Sequence, residues 1–493
     1  MRNLIINLAF IEILSFAGIW IFLRSLIKER RSEFGNILYI ISLSVAAFSF
    51  LSPNLIFLNI FYIILIPLIA RNFSQVAPIY IFCIIISPLL SYNVSAGGIF
   101  LLDYSVAHSL GIGAIIAFAI KGKGRSYAKF ATDLPFIGIM LVLFFITVRD
   151  TSVTNILREF LGQALLYGPP YWIVSRGIRN LTDVRLTLLI LAAAAVLLSI
   201  ICAFEALKGW PLYRAIWSYH GIDLGSGASV KLRGGLLRSP GPYAEPLSLS
   251  FSLTMCILAL VASRRSFRSR LWFLGLCAIT AIGIAAPQSR GAWIGLIVGL
   301  LACDAYRGRW QVLATRTGIL VMAGVLAVAG STVNSHLANL TGTSAEGHGT
   351  IDYREDLLTR GIEEVRAYPL IGRPFEQVTE AMKDMTQGEG IVDFVNSYLV
   401  VALVSGLIGL AIFSTGLISQ CTIIWQARVA TKNTSTHREY LAFAFSTMIA
   451  NCIMLANISM GGRITMTLGM TMAMAGILIN LAYKHRRSGT FVE

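Results

Sequence analysis

Two short stretches carry the residue types that could do chemistry. KLRGGLLRSPGPYAEP at 231–246 sets Lys231, Arg233 and Arg238 against one acid, Glu245, and SRGAW at 289–293 holds Arg290 between small residues. The planar fork of an arginine grips phosphate oxygens in a bidentate way, so several converging guanidinium groups would suit a diphosphate. Transfer from a diphosphate builds negative charge on the leaving group, which preorganised cations stabilise. Arg238 and Arg290 are the candidates for that role, with Arg354 or Arg463 assisting and Arg233 and Arg360 as further cations on the same side. An acceptor hydroxyl also needs a base. Glu245 and Asp393 fit by position, and each fits equally well as a salt-bridge partner of a nearby arginine. His220 and His348 lie in long loops and read as solvated surface residues. For any single arginine the alternative is an anchor that snorkels to lipid headgroups.

The elements that must position these residues are membrane spans. The chain has 493 residues, 56% hydrophobic and only 13% charged, with a mean hydropathy of +0.72. Soluble proteins are roughly 45–50% apolar and about 25% charged. Many apolar runs approach the roughly 20 residues that cross a bilayer core. The runs are continuous, so helices and not an alternating barrel are expected. The expectation is an all-α polytopic bundle of about 12–15 spans, with a long outer loop carrying amphipathic helices. Runs are placed near 98–120, 242–262, 291–305 and 395–418, among others.

Orientation follows from Lys and Arg in the short connections. Alternate connections, beginning with 24–36 and ending with 484–493, hold 25 of the 40 basic residues, while 52–54 and 91–98 hold none. The first set is read as cytoplasmic, and the net charge of +15 as topology and not as a nucleic-acid footprint. All the candidate arginines then fall on the disfavoured outer side. An arginine at mid-bilayer costs about 2.5–3.5 kcal/mol on insertion scales, so a cluster there points to a bound polyanion. Four regions follow: 1–204, an N-terminal bundle; 205–331, an outer loop and central spans; 332–394, a large outer lid loop; and 395–493, the C-terminal spans and tail.

The lid loop carries eleven acids and five basic residues. Within DYREDLLTRGIEEVRAYPLIG, Leu357, Leu358, Ile362 and Val365 are spaced for one face of an amphipathic helix that Pro369 and Gly372 end. Asp103 and His108 in the fifth run are five apart, so on a helix they would not share a face and a proton path is not expected. The seven cysteines lie in or beside apolar runs, without a C-x-x-C or Cys/His cluster. Neither a disulfide framework, a metal site nor a cofactor is indicated.

Four elements, in order, resemble the O-antigen ligase and polymerase-like superfamily: RSPGPYAEP, SRGAWIGLIVGL, YREDLLTRGIEEVRAYPLIG and VDFVNSYLVVALVSGLIG. Together they cover about 230–415. The resemblance implies a metal-independent glycosyltransferase on the outer, periplasmic face of a bacterial inner membrane. It would take a glycan from a polyprenyl diphosphate carrier and join it to a lipid A core or to another repeat unit. Arginine roles carry over onto Arg238 and Arg290, less surely onto Arg354. Asn396 and Tyr398 in the last motif become candidates for glycan contact. The position before the asparagine, often histidine in ligases, is Val395 here, and the D-x-x-N-x-Y form from Asp393 is more similar to polymerases of O-antigen or exopolysaccharide. The implied partners are the lipid-linked donor, a glycan or lipid-glycan acceptor, membrane lipids and a chain-length regulator. The rival from another class is a flippase of the same lipid-linked glycans. It should carry cations through the middle of the membrane, whereas here they gather at one face.

Overall fold

A computed structural model describes the chain apart from residues 1, 123–128, 223–229, 234, 333–337, 339–344, 387–390, 432–434 and 489–493. The side chain of His348 also lies outside the described residues. The fold is an all-α bundle with two small hairpins. Before the first hairpin come α1 (Arg2–Ser25), α2 (Lys28–Phe34), α3 (Ile37–Leu51), α4 (Leu55–Ile69) and α5 (Phe73–Ile86). The hairpin pairs β1 (Ser91–Ala96) with β2 (Ile99–Ser105). Then follow α6 (Val106–Lys121), α7 (Asp133–Val148), α8 (Val153–Gly177), α9 (Leu181–Lys208) and the short α10 (Arg214–Tyr219). A second, two-residue-per-strand hairpin, β3 (Leu232–Arg233) with β4 (Leu236–Leu237), leads into α11 (Pro246–Ala262). The remainder is α12 (Arg270–Ala285), α13 (Arg290–Arg307), α14 (Trp310–Ser331), α15 (Ala345–Ala367), α16 (Phe375–Ala381), α17 (Ser397–Ala430), α18 (Ser435–Leu455) and α19 (Gly462–Ser488).

Among the described residues, five helices are long and apolar enough to cross a membrane: α1, α9, α14, α17 and α19. The α2–α3 pair, bent by 42°, makes a sixth if taken as one span, and six other apolar helices are 10–17 residues long. The polytopic helical class is therefore as expected, but many of the expected spans are short helices. Their starts are written in the sequence. Asn54, Asn72, Ser152, Asn180, Ser269 and Asn396 each cap a helix by accepting from backbone N–H groups of its first turn. Helix α9 runs through the centre, with its 188–198 stretch wholly buried, whereas α14 has no buried residue and lies at the rim, where its apolar side chains suit lipid.

Connections gather at two ends. At one, the lid end, lie the first hairpin, the described parts of the 209–245 segment, the α12–α13 turn and α15–α16. At the other, the β-bridge between Leu26 and Phe267 and the ion pairs of Glu439 with Arg264, Arg307 and Arg309 tie the basic connections together. That alternation matches the loop parity read from charge.

Two packing features aim the lid end. Gly291, Gly295 and Gly299 form a ridge along one face of α13, where an added Cβ would lie 2.7 Å from Asn457, 2.6 Å from Met454 and 3.1 Å from the Ser446 carbonyl. Small residues let the two backbones approach, as in membrane helix pairs generally, so α13 and α18 lie against each other over their length. The second feature corrects the expected single span at 395–418. Gly406 sits at φ 66°, ψ −170° inside α17. The rings of Tyr398 and Phe413 stand 5.8 Å apart, whereas fifteen residues of straight helix would separate them by about 22 Å along the axis. The chain therefore folds back at Gly406. A short first limb, 397–405, packs beside a longer second limb, 407–430, that pairs with α7.

The break is sealed by the P-L-I-G turn of the lid. Leu407 and Ile408 donate their N–H groups to the carbonyls of Pro369 (2.8 Å) and Leu370 (3.3 Å), and Arg373 N–H donates to the Leu403 carbonyl (2.9 Å). Arg149, at the end of α7, donates to the carbonyls of Val404 (2.6 Å) and Ile371. Backbone groups freed by a break at membrane depth need such partners. The amphipathic helix expected in the lid is α15, but its inward face differs from the expected one. Leu357 and Gly361 are buried, and Leu358 and Ile362 are exposed. Another correction concerns the run at 98–120. Its first residues form β2, so Asp103 stands on a strand and only His108 on a helix.

Candidate functional site

The arginine motifs, fifty residues apart in sequence, are stitched together by backbone. Ser239 N–H donates to the Ala286 carbonyl at 3.1 Å. Arg233 donates to the Gln288 carbonyl at 2.7 Å, and Arg238 Nε to the Pro287 carbonyl at 3.2 Å. The β3–β4 hairpin and the turn that starts α13 thus share one surface, which brings Arg233 and Arg238 beside the loop that carries Arg290. The turn after Arg238 is held from beneath by Glu205, which is fully buried near the end of α9. Its carboxylate accepts from Ser239 Oγ (2.6 Å), Gly241 N–H (3.0 Å) and Leu212 N–H (2.9 Å). Gly241 takes φ 49° here, a left-handed conformation that favours glycine. Glu205 was not singled out from the sequence, because an acid near the end of a span reads as an interfacial residue.

The lid adds a fourth arginine. Arg354 on α15 donates to Asn457 Oδ1 at 3.1 Å, and Asn457 fills the space that Gly291, next to Arg290, leaves open. Arg354 feels both Arg290 and Asp393, and Arg238 feels Arg233, Arg354, Glu245 and Asp393. Burial, with Arg233 beside it, lowers the Arg238 pKa to about 10. The group stays charged at neutral pH, and a cation so placed gains from an added anion. Asn457 was also missed by sequence reasoning; the glycine ridge of α13 was the signal that a side chain presses there.

Arg463 is buried without a carboxylate paired to it among the described residues. It donates to the carbonyls of Ile84 and Ser87 (2.8 Å) at the end of α5 and lies 4.8 Å from the Tyr243 ring. It closes the exposed end of α5 and simultaneously presents a cation to the cavity.

That cavity, about 750 Å³, opens at the lid end. Arg238, Arg463, Lys231, Glu245 and Asp393 line it on one side of the chain's topology. Glu245 accepts from Ser248 Oγ at 2.8 Å at the start of α11. The Asp393 backbone is fixed by Tyr353, whose hydroxyl lies 3.0 Å from its N–H and 3.2 Å from its carbonyl. Residues Asp103, Arg158, Glu159 and Gln163, from the first hairpin and α8, also line it.

Three sequence candidates sit elsewhere. Asn396 spends its side-chain oxygen on the N–H groups of Tyr398 (3.0 Å) and Leu399 (3.2 Å) as a helix cap. Tyr398 donates to the Cys452 carbonyl at 3.0 Å and packs on Phe413. Arg360 pairs with Glu363 and Asp384 on the outer surface of the lid. Asn396, Tyr398 and Arg360 do not line the cavity, and neither do Arg233, Arg290 and Arg354, which join it only through Arg238 and its neighbours. Val395 does not line it either; it packs against the apolar cluster beneath the lid that includes Leu357 and Phe394. His220 bonds to the Ser49 carbonyl at 3.2 Å, and burial lowers its pKa.

Residues 275–414 match the family model of O-antigen ligase. Over that stretch the chain is O-antigen ligase-like. The match begins within α12, takes in the Arg290 turn, the lid and both limbs around Gly406, and ends in the second limb. The Arg238 motif lies outside the match and joins the O-antigen ligase-like region through the hydrogen bonds between the two loops. No curated protein matches the chain. Among the described residues no group of three or more His, Cys, Asp or Glu side chains is placed to hold a metal ion.

Proposed function

We propose that the chain performs glycosyl transfer of the O-antigen ligase type from a polyprenyl-diphosphate-linked glycan, and that the reaction is polymerisation of surface polysaccharide repeat units. One observation carries this reading. Arg238 lines a cavity large enough for a sugar and its diphosphate, and Arg233 on its own loop, Arg354 on the lid and, through Arg354, Arg290 on the pinned loop stand within one another's field beside it. A cluster of cations at the edge of one concave site suits a leaving group whose charge grows as the glycosidic bond forms. Arg238, Arg290 and Arg354 would hold the diphosphate, and Arg463 would take a further anionic oxygen from the cavity floor.

The opposite end of the bundle carries the basic connections, so by the positive-inside rule it faces the cytoplasm. The cavity then faces the periplasm of a bacterial inner membrane. Clustering of the cations at one end favours an enzyme over a flippase, which needs cations along a path. Ligation to a lipid A core is the alternative reaction. Val395 at the usual histidine position, half-buried against the apolar cluster under the lid, speaks against a ligase base there and for polymerisation.

Purified protein supplied with lipid-linked repeat units alone separates the two reactions. A ladder of products means a polymerase; products only after a lipid A acceptor is added mean a ligase. Arg290→Ala is expected to abolish long-chain product while the protein still inserts and folds. An unchanged chain-length distribution would remove the diphosphate reading.

A further inference from the structure

The cavity holds four carboxylates, and they fall into two kinds. Glu245 and Asp393 both stand within the field of Arg238. They act as counter-charges in the arginine cluster. The other two are placed differently. Asp103 is on β2, opposite Asn93 in the hairpin register, and Glu159 is on α8. Both line the cavity, and the charged neighbour that Asp103 feels most is Glu159, not an arginine. Burial and that neighbour raise the Asp103 pKa above the ordinary carboxylate range.

The surroundings hold this pair in place. Gln163 Nε2 donates to Thr147 Oγ1 at 2.8 Å and reaches Glu159 at 3.5 Å. Arg158, the cation next in sequence, lies over the Phe100 ring at 5.4 Å. His108 at the start of α6 is not available as a base. Its Nδ1 accepts from the Ser105 N–H at 3.0 Å, so Nε2 bears the proton and donates to the Gly162 carbonyl at 3.2 Å. The remaining titratable groups on the cavity wall are Tyr167 on α8 and, from the arginine side, Lys231, Arg238, Tyr243 and Arg463.

We propose that Asp103 is the base of the transfer, with Glu159 as its positioning residue, and that the hairpin and α8 form the subsite of the acceptor sugar. The inference rests on the glycosyl-transfer reading of the same cavity. In the step, the acceptor hydroxyl oxygen bonds to the anomeric carbon of the donor while the bond from that carbon to the diphosphate oxygen breaks. The bonding pair leaves on the diphosphate, facing the arginines, and the hydroxyl proton passes to the Asp103 carboxylate. Two carboxylates side by side also accept hydrogen bonds from neighbouring hydroxyls of one sugar ring. A buried carboxylate with a carboxylate neighbour holds a proton more firmly than one balanced by guanidinium, which suits it to receive one.

The test uses full-length protein in nanodiscs with lipid-linked repeat units, and follows donor binding and product formation separately. For Asp103→Asn, donor binding is expected to stay within about twofold of wild type and turnover to fall about 10²–10⁴-fold. Asp103→Glu should recover part of the rate. In wild type the rate rises with pH as Asp103 loses its proton, with a midpoint above the ordinary carboxylate range, and Glu159→Gln should move that midpoint down. Wild-type turnover in Asp103→Asn, or loss of donor binding in step with turnover, would overturn the proposal. Failure of the wild-type protein to bind the donor, or wild-type donor binding in Arg238→Ala, would instead sink the diphosphate reading itself.

Discussion

Replacing Gly406 by alanine tests the folded-back helix. Its φ of 66° with ψ −170° is a region open essentially to glycine, and forcing another residue into it costs about 1–3 kcal/mol. The new Cβ would also lie 2.2 Å from the Leu370 carbonyl oxygen and 2.5 Å from the Ile371 nitrogen. Both are backbone, so the P-L-I-G turn itself must move. Three hydrogen bonds cross that contact, from Leu407, Ile408 and Arg373, each worth about 0.5–1.5 kcal/mol net. The lid therefore loses roughly 3–7 kcal/mol of its attachment. Release of a lid is local, and when opening is fast, cleavage tracks the open population. A loss of about 3 kcal/mol raises that population by about two powers of ten. The assay is trypsin cleavage of the lid, at Arg360, Arg366 or Lys383, in detergent-solubilised protein. Gly406→Ala should be cut at least about 100-fold faster than wild type. Gly275→Ala is the control, because a Cβ there meets nothing within 4 Å and alanine favours the helix by about 1 kcal/mol. Equal cleavage of Gly406→Ala and wild type would refute the wedge and, with it, the folded-back limb.

Two other substitutions probe the supports beneath the arginines. Gly291→Ala puts a Cβ 2.7 Å from that of Asn457, so Asn457 must withdraw and the bond from Arg354 is lost; hydrogen bonds to charged groups are worth about 1.5–3 kcal/mol, and kcat/KM for the lipid-linked donor should fall about tenfold or more with expression unchanged. Glu205→Gln turns one acceptor arm of a fully buried carboxylate into a donor facing Ser239 and Gly241 or Leu212. A thiol-reactive dye reporting on the buried Cys202 and Cys256 should then register unfolding at a lower temperature, whereas an unchanged midpoint would mean that the turn after Arg238 holds without its anchor.

Much of this architecture was legible in the sequence because each readable feature has a local cause. The helix starts rest on Asn and Ser caps, and the two ends of the bundle rest on where Lys and Arg fall. Arg238 and Arg290 were conspicuous because guanidinium groups on the disfavoured side need a reason. Other features escaped for equally physical reasons. A strand and a helix start look alike when both are apolar, so the hairpin before His108 was hidden inside a hydrophobic run, and Asp103 was judged by helical spacing that does not apply to it. The folded-back limb escaped because 397–430 is apolar throughout; only the φ of Gly406 and the bonds it makes to a distant turn reveal the break. Asn396 and Tyr398 were read as ligand contacts from their motif, but the same motif is satisfied by capping and packing.

The fold-back and the cavity are parts of one arrangement. The second limb crosses the bundle, and the first rises beside it, so the segment that leads from the lid into α17 enters at the level of the arginines and not above them. That entry places Asp393, four residues before the first limb, on the cavity wall and sets Tyr353 of α15 against its backbone. Arg354, the next residue on α15, is thereby turned toward Asn457. A lid tied only by its ends would leave Arg354 mobile, and the proposed role of Arg354 needs it fixed, because preorganised cations stabilise charge far better than mobile ones. The Gly406 break supplies the missing tie. By admitting the P-L-I-G turn into the helix and giving Arg149 two carbonyls to hold, it fastens the far end of α15 to the bundle, so the helix that carries Arg354 is held both at Arg354 and beyond its last turn. Activity should therefore depend on Gly406 and Gly372 even though neither lines the cavity.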